Sequence, residues 1–316
     1  MAPASFLALP TVCIIVPVCN EEASLPLLRD RLKSLHESIC KRFRVHYLFV
    51  DDGSSDGTSR MLPAAAPAGA SYEIHVHATN YGLGAAFRTG FHHAAADVVC
   101  TIDADCSYGP EHLLAMIQEV ASGRSDVVVA SPYHPDGGVD GVQRWRLLLS
   151  AQCSRLYRVV SPLKLYTYTS IFRAYRGSFV RAVQFQSHGF VSAVEILLSA
   201  SSLGQRVTEI PLTLRRRSAG VSKMRILRTI RTHAALLTDC LLAGNNGHPN
   251  FCRPDAINPN PLPQILRTVY FAGAPSGPVI SRQTKLPKQW REPFGGLVPA
   301  ALSAPSTFPR TPLSTR

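Results

Sequence analysis

Asp103-Ala104-Asp105 places two carboxylates one residue apart, directly after the apolar run Val98-Val99-Cys100-Thr101-Ile102. Magnesium or manganese in a nucleotide site takes one or two protein carboxylates and fills its other positions with phosphate oxygens and water, an arrangement this spacing allows. An Asp pair after a strand also caps turns and helices, so the pair alone does not decide. Two further acidic clusters stand in the same kind of position. Asn20-Glu21-Glu22 follows the apolar run 12–18, and Asp51-Asp52-Gly53 follows the run 45–50. Carboxylates gathered in this way repel one another unless a cation lies among them.

The elements that must position these acids are legible in the pattern. Each preceding run is short, rich in β-branched residues and closed by turn residues, the signature of a buried strand. Between the first two runs, Leu25, Leu28, Leu32, Leu35 and Ile39 recur at three- and four-residue steps, which predicts an amphipathic helix. Strand, helix and strand in this order imply a right-handed parallel crossover, and ligands of such sheets bind beyond the carboxyl ends of the strands. The expected fold class is therefore α/β, with a mostly parallel, Rossmann-like sheet flanked by helices. Further strands are expected at 73–77 and 126–131, and a helix after Pro110 with Leu113, Leu114, Ile117 and Val120 inward. The turn Asn80-Tyr81-Gly82-Leu83-Gly84 opens a small-residue helix; its glycines let backbone approach a ligand or a neighbouring segment, and Arg88 could reach a phosphate. Residues 134–141, rich in Gly, Pro and Asp, read as a mobile loop over the site.

Composition bounds the possibilities. The chain has 316 residues, 46% of them hydrophobic, which suffices for one α/β domain and an extension. Three regions are expected: a lead over 1–10 without the character of a secretory signal, a domain over 11–243, and a tail over 244–316. The tail holds 13 of the 24 prolines and is expected to be disordered, a basic tether to membrane or partner. No run approaches the length of a membrane span. The eight cysteines lack paired or zinc-binding spacing and suit a reducing compartment. Charge is divided: residues 1–126 carry net −5, residues 127–243 net +11 and the remainder net +6. The basic part suits diphosphate, an anionic acceptor, an anionic membrane surface or nucleic acid. Amphipathic stretches at 142–160 and 223–243, with Arg144, Arg146, Arg155 and Arg158 on the first and Arg225, Arg228 and Arg231 on the second, point the same way, although a core-packed helix gives the same pattern.

In order and spacing, Val16-Pro17-Val18-Cys19-Asn20-Glu21-Glu22, Val50-Asp51-Asp52-Gly53-Ser54-Ser55-Asp56-Gly57-Thr58, the Asn80 to Gly84 turn and Asp103-Ala104-Asp105 resemble the family 2 inverting glycosyltransferases of GT-A fold. The likeness runs on through Gly189 to Glu195 and Arg215-Arg216-Arg217-Ser218-Ala219-Gly220-Val221-Ser222-Lys223-Met224, and is greatest toward the dolichyl- and polyprenyl-phosphate sugar synthases. It implies a metal-dependent transfer from a GDP- or UDP-sugar to a lipid phosphate, at the cytoplasmic face of a membrane. Pro17, Asn20, Glu21 and Asp52 would line the nucleoside pocket. Asp51 would join them or cap the following turn. Asp103 and Asp105 would face a Mg or Mn ion and the diphosphate, with Asp105 the direct ligand. Arg88, Arg217, Ser222 and Lys223 would hold phosphate, and Arg173 an anionic acceptor. A hydroxyl acceptor would need a base, for which Glu195 is the candidate; the alternative for Glu195 is a charge at a helix start. Pro132 stands where relatives often carry Arg, and Ile171 where the synthases usually carry Gly.

Other classes remain open at this stage. A glycosyltransferase acting on a saccharide or lipid hydroxyl would share the donor site. A sugar-phosphate nucleotidyltransferase also uses an acidic metal site, but with a glycine-rich first turn in place of Pro17 to Glu22. A non-catalytic basic module would hold anionic surfaces without turnover. No nucleic-acid partner is expected.

Overall fold

The computed structural model describes residues 9–217, 226–243 and 262–272. In chain order these form β1 (Thr11–Val18), α1 (Leu25–Ile39), β2 (Arg44–Asp51), α2 (Thr58–Ala65), β3 (Ser71–His77), α3 (Leu83–His93) and β4 (Val98–Thr101). A single 3₁₀ turn then leads into α4 (Leu113–Ala121), followed by β5 (Val127–Ser131), β6 (Gly138–Asp140), α5 (Arg144–Val160), β7 (Arg173–Arg176) and α6 (Gly177–Ala182). The chain continues through α7 (Ser192–Ser202), β8 (Val207–Pro211), β9 (Thr213–Arg215), α8 (Ile226–Ala243) and β10 (Ile265–Ala272).

The main sheet has the order β10-β3-β2-β1-β4-β7-β5-β8. Strands β2 and β3 step outward from β1 on one side, and β4 pairs with β1 on the other, all parallel. The order reverses at β1, so a crevice opens beyond the carboxyl ends of β1 and β4. Strand β7 runs antiparallel between β4 and β5. Both faces of β1 are covered, which explains its unbroken apolar run. Val12, Ile14, Val16 and Val18 join the buried α1 stripe and α4 on one face, while Cys13 and Ile15 join α3, α6 and α7 on the other. All five residues of the α1 stripe are buried. Truncating Leu28 or Leu32 to Ala would cost roughly 2–5 kcal/mol.

Two expectations are corrected. Within the tail, residues 265–272 form a strand that closes the sheet antiparallel to β3. Val269 is buried and Phe271 stacks on Tyr72 at 5.2 Å, so this short apolar alternation pairs with an otherwise open edge. The rest of the tail lies outside the described residues. Residues 138–140, expected in a loop, pair in parallel with β9. Glycine suits the approach: a Cβ on Gly138 would come within 2.9 Å of Thr213 Oγ1.

Candidate functional site

Strands β2, β1 and β4 are neighbours, so the three acidic clusters at their carboxyl ends line one crevice. Arg217, just past β9, joins two of them. Its Nη2 lies 2.9 Å from Glu21 Oε1 and 3.0 Å from Asp105 Oδ2. The segment bearing it is fixed by backbone hydrogen bonds from Arg215 N–H to Ser107 C=O at 2.9 Å and from Arg216 N–H to Asp140 C=O at 2.8 Å. Asp105 also accepts the Ser107 N–H at 2.9 Å. Among the described residues no hydrogen-bond donor reaches the Asp103 carboxylate. Burial, and then the charge of Asp105, raise its pKa well above the usual carboxylate range, with Arg217 opposing. Two crowded carboxylates of this kind are an all-oxygen donor set, which fits a hard divalent cation such as Mg or Mn.

At the carboxyl end of β1, Pro17 lies opposite Val50 and is half-buried. Asn20 has a left-handed backbone (φ 49°), and its side-chain oxygen accepts the Ser55 N–H at 2.6 Å, stitching the β1 and β2 loops together. For Asp51 the geometry supports the turn-capping alternative. It is fully buried and accepts the Ser54 N–H at 2.9 Å and the Ser59 hydroxyl. Asp52, expected to contact a nucleoside, is engaged by the protein itself. Its carboxylate accepts the N–H groups of Tyr81 (2.9 Å) and Gly82 (2.7 Å) and contacts His77 Nδ1 at 2.9 Å, so it shapes the Asn80 to Gly84 turn.

The same turn is buttressed from the far side. Gly84 N–H donates to His188 C=O at 2.7 Å, and a Cβ on Gly82 or Gly84 would collide with the carbonyls of His188 and Ser187. The glycines thus serve a neighbouring segment. Arg88, expected to reach a phosphate, is held there too, donating to the carbonyls of Gln186 (3.3 Å) and Ser187 (3.1 Å). Glu195 closes this scaffold. Its carboxylate accepts the N–H groups of Gln186 and Ser187, each at 2.9 Å, and the Ser187 hydroxyl at 2.5 Å. It is 5% exposed and bonded to the loop before α7, the geometry of a residue that positions that loop. Arg173, expected to hold an anionic acceptor, is fully buried in the sheet and donates to the carbonyls of Ala193 (2.6 Å) and Tyr168 (2.8 Å). Ser222 and Lys223 lie outside the described residues.

Sequence reasoning missed a cavity of about 380 Å³ lined by Tyr133, Ala151, Ser154, Arg155, Arg158 and Tyr166. Tyr133 follows the carboxyl end of β5, so the cavity belongs to the same side of the sheet as the crevice. Arg158 lies over the Tyr166 ring at 4.3 Å. The signal was present in Arg155 and Arg158, one turn apart on α5, but it served equally for a surface charge. Helix α5 buries only Ser154 and Tyr157, and exposes Trp145, Leu148, Leu149, Leu156 and Val159, the last 78% exposed. Helix α8 similarly exposes Ile230, Leu241 and Leu242. No described helix is long and apolar enough to cross a membrane.

Comparison with known proteins gives three results. The family model "Glycosyl transferase family 2" matches residues 13–183. A polyprenol monophosphomannose synthase of Mycolicibacterium smegmatis is 34% identical over 219 residues, covering 67% of this chain and 80% of that protein. An undecaprenyl-phosphate mannosyltransferase of Micrococcus luteus is 33% identical over 220 residues, covering 67% and 87%. Among solved structures, glucosyl-3-phosphoglycerate synthase of Mycobacterium tuberculosis, with Mn2+, UDP-glucose and phosphoglyceric acid bound, superposes with a TM-score of 0.55 at 17% identity, over 74% of this chain and 79% of that one. At that identity the likeness establishes the fold, a GT-A arrangement.

Proposed function

The chain belongs to glycosyl transferase family 2, and on that premise we propose that it moves a sugar from a GDP- or UDP-sugar to a polyprenyl phosphate at a membrane surface. The catalytic unit is residues 11–243, with β10 completing the sheet edge. Asp103 and Asp105 would hold a Mg or Mn ion, which supplies charge to offset that gathering on the departing nucleoside diphosphate. Arg217 stands beside Asp105 and supplies further positive charge there. Pro17, Asn20 and Glu21 border the nucleoside side of the crevice.

The observation that carries the acceptor reading is α5. It borders the arginine-lined cavity and turns apolar side chains outward beside Arg144, Arg146, Arg155 and Arg158, as a helix lying on an anionic membrane does. A lipid phosphate also suits the commitments of Glu195. The acceptor oxygen is already anionic near neutral pH, attacks the anomeric carbon as the nucleoside diphosphate departs, and requires no base. The relatives from M. smegmatis and M. luteus are named for mannose on polyprenyl lipids, which makes GDP-mannose the first donor to try.

The test incubates the chain with labelled GDP-mannose or UDP-sugars and vesicles containing polyprenyl phosphate, with Mn2+ or with EDTA. Organic-extractable label that depends on both lipid phosphate and Mn2+, and that Asp105→Asn abolishes, is expected. Label appearing only on a water-soluble hydroxyl acceptor would overturn the acceptor assignment, and turnover unchanged by EDTA would overturn the metal.

A further inference from the structure

Outside the crevice, β3 carries three polar residues on one face of a buried strand: Glu73, His75 and His77, which are 6%, 0% and 1% exposed. His77 is satisfied by Asp52 and Thr89. Glu73 is engaged by the Tyr270 hydroxyl on β10 and approached by His46 and His75, whereas His75 keeps one nitrogen unpaired. His75 Nε2 is buried without a hydrogen-bond partner. It points toward Glu73, whose Oε2 lies 3.5 Å away, and the His75 ring lies 4.0 Å, centroid to centroid, from that of His93 at the end of α3. One ligand atom from each of Glu73, His75 and His93 lies within 4.8 Å of the other two.

We propose that Glu73, His75 and His93 bind a borderline divalent transition ion of the Zn2+ class, distinct from the Mg or Mn ion of the crevice. Two imidazole nitrogens and one carboxylate oxygen form a set zinc takes readily, whereas the all-oxygen pair Asp103 and Asp105 suits harder cations. Ligand atoms at about 2.1 Å from a tetrahedral ion are about 3.4 Å apart, so closing the site requires shifts on the order of 1 Å. The support around the ligands fits. His75 Nδ1 is 3.1 Å from Thr268 Oγ1 on β10, and donation to that hydroxyl leaves the Nε2 lone pair for metal. His46 Nε2 is 3.9 Å from the same Glu73 oxygen and orients the carboxylate from the rim.

The site is spatially separate from the crevice. Glu73 and His75 lie in the body of β3, two strands from β1, and His93 ends a helix whose start faces the Asn80 to Gly84 turn. Bound metal would tie β3 to α3 and, through Thr268, to β10. It would act as a staple on the sheet edge that the C-terminal strand closes.

The test uses the untagged full chain, stripped with EDTA and dialysed against ZnCl2, with bound metal counted by elemental analysis and Co2+ used as a spectroscopic probe. One Zn2+ per chain is expected, retained in the Asp103→Asn/Asp105→Asn double variant and lost in His93→Gln. Thr268→Val should weaken affinity about 10-fold. Co2+ should show tetrahedral d–d bands in the native chain and in the double variant. His93 lies at a half-buried helix end, so His93→Gln tests the site even if a change at the buried His75 prevents folding. Zinc stoichiometry unchanged by His93→Gln, or a native chain that takes up no Zn2+ and gives no tetrahedral Co2+ spectrum, would overturn the proposal and leave a hydrogen-bonded polar cluster.

Discussion

Glu195→Gln separates a positioning role from a catalytic one. The Glu195 carboxylate accepts three hydrogen bonds, two at 2.9 Å from backbone N–H groups and one at 2.5 Å from the Ser187 hydroxyl. A glutamine carbonyl can keep the two backbone bonds, while its NH2 group meets the Ser187 hydroxyl, which must turn from donor to acceptor. The variant turns three charge-assisted bonds into neutral ones, a loss of about 1 kcal/mol each and roughly 2–4 kcal/mol in total. For a domain of this size each kcal/mol moves Tm by about 2–4 °C, so calorimetry should show a fall of roughly 4–16 °C. The loop that Glu195 holds also buttresses the Asn80 to Gly84 turn. KM for the nucleotide-sugar should therefore rise, while kcat, measured well below the new Tm, changes little. Loss of a general base gives the opposite pattern, a fall in kcat of about 10²–10⁴ with loss of the acidic limb of the pH profile. That outcome with Tm unchanged would refute the reasoning.

The remaining predictions rest on separate features. Arg217→Met leaves Glu21 and Asp105 without their shared cation; removing a charged hydrogen-bond partner worth about 2–3 kcal/mol should lower kcat/KM roughly 30- to 150-fold, measured by initial rates at saturating Mn2+. Leu148→Glu combined with Val159→Glu should abolish sedimentation with anionic vesicles while nucleotide affinity, followed by thermal shift, stays unchanged. His233, beside the Tyr157 hydroxyl, has its pKa lowered by burial from 6.5 to about 4. Below 6.5 the unfolded chain takes up a proton that the folded one refuses, so stability is full above that pH and falls until about 4. Urea midpoints across this window should fall less steeply in His233→Gln, with part of the slope remaining from His93, which is shifted in the same direction.

The elements around the crevice were legible because burial leaves a mark on sequence. The unbroken apolar runs became β1, β2 and β4, and the α1 stripe is buried along its whole length. The strand at the edge was not legible. Ile265 to Ala272 sits among prolines, and its alternation acquires meaning only when Tyr72 and Ile74 of β3 present an open edge to it. Likewise, Gly138 to Asp140 has the composition of a loop and becomes a strand only beside Thr213 to Arg215.

By itself the sequence determined that carboxylates would collect at strand ends, because residue type, strand length and crossover handedness are local or near-local properties. It also determined the family, through motifs in fixed order. Which of those charged groups remain for a ligand was decided by tertiary structure. Asp51 and Glu195 are engaged by groups within ten residues of them, Arg173 by carbonyls 5 and 20 residues away, and Asp52 and Arg88 by segments about 30 and 100 residues away, while Glu21, Asp105 and Arg217 meet across nearly two hundred residues. Hydrogen bonding is satisfied over short distances in three dimensions, and a one-dimensional pattern does not record which donor arrives first. The same reason hid Glu73, His75 and His93: strand alternation aligns the first two, but only the packing of α3 on the sheet brings the third to them.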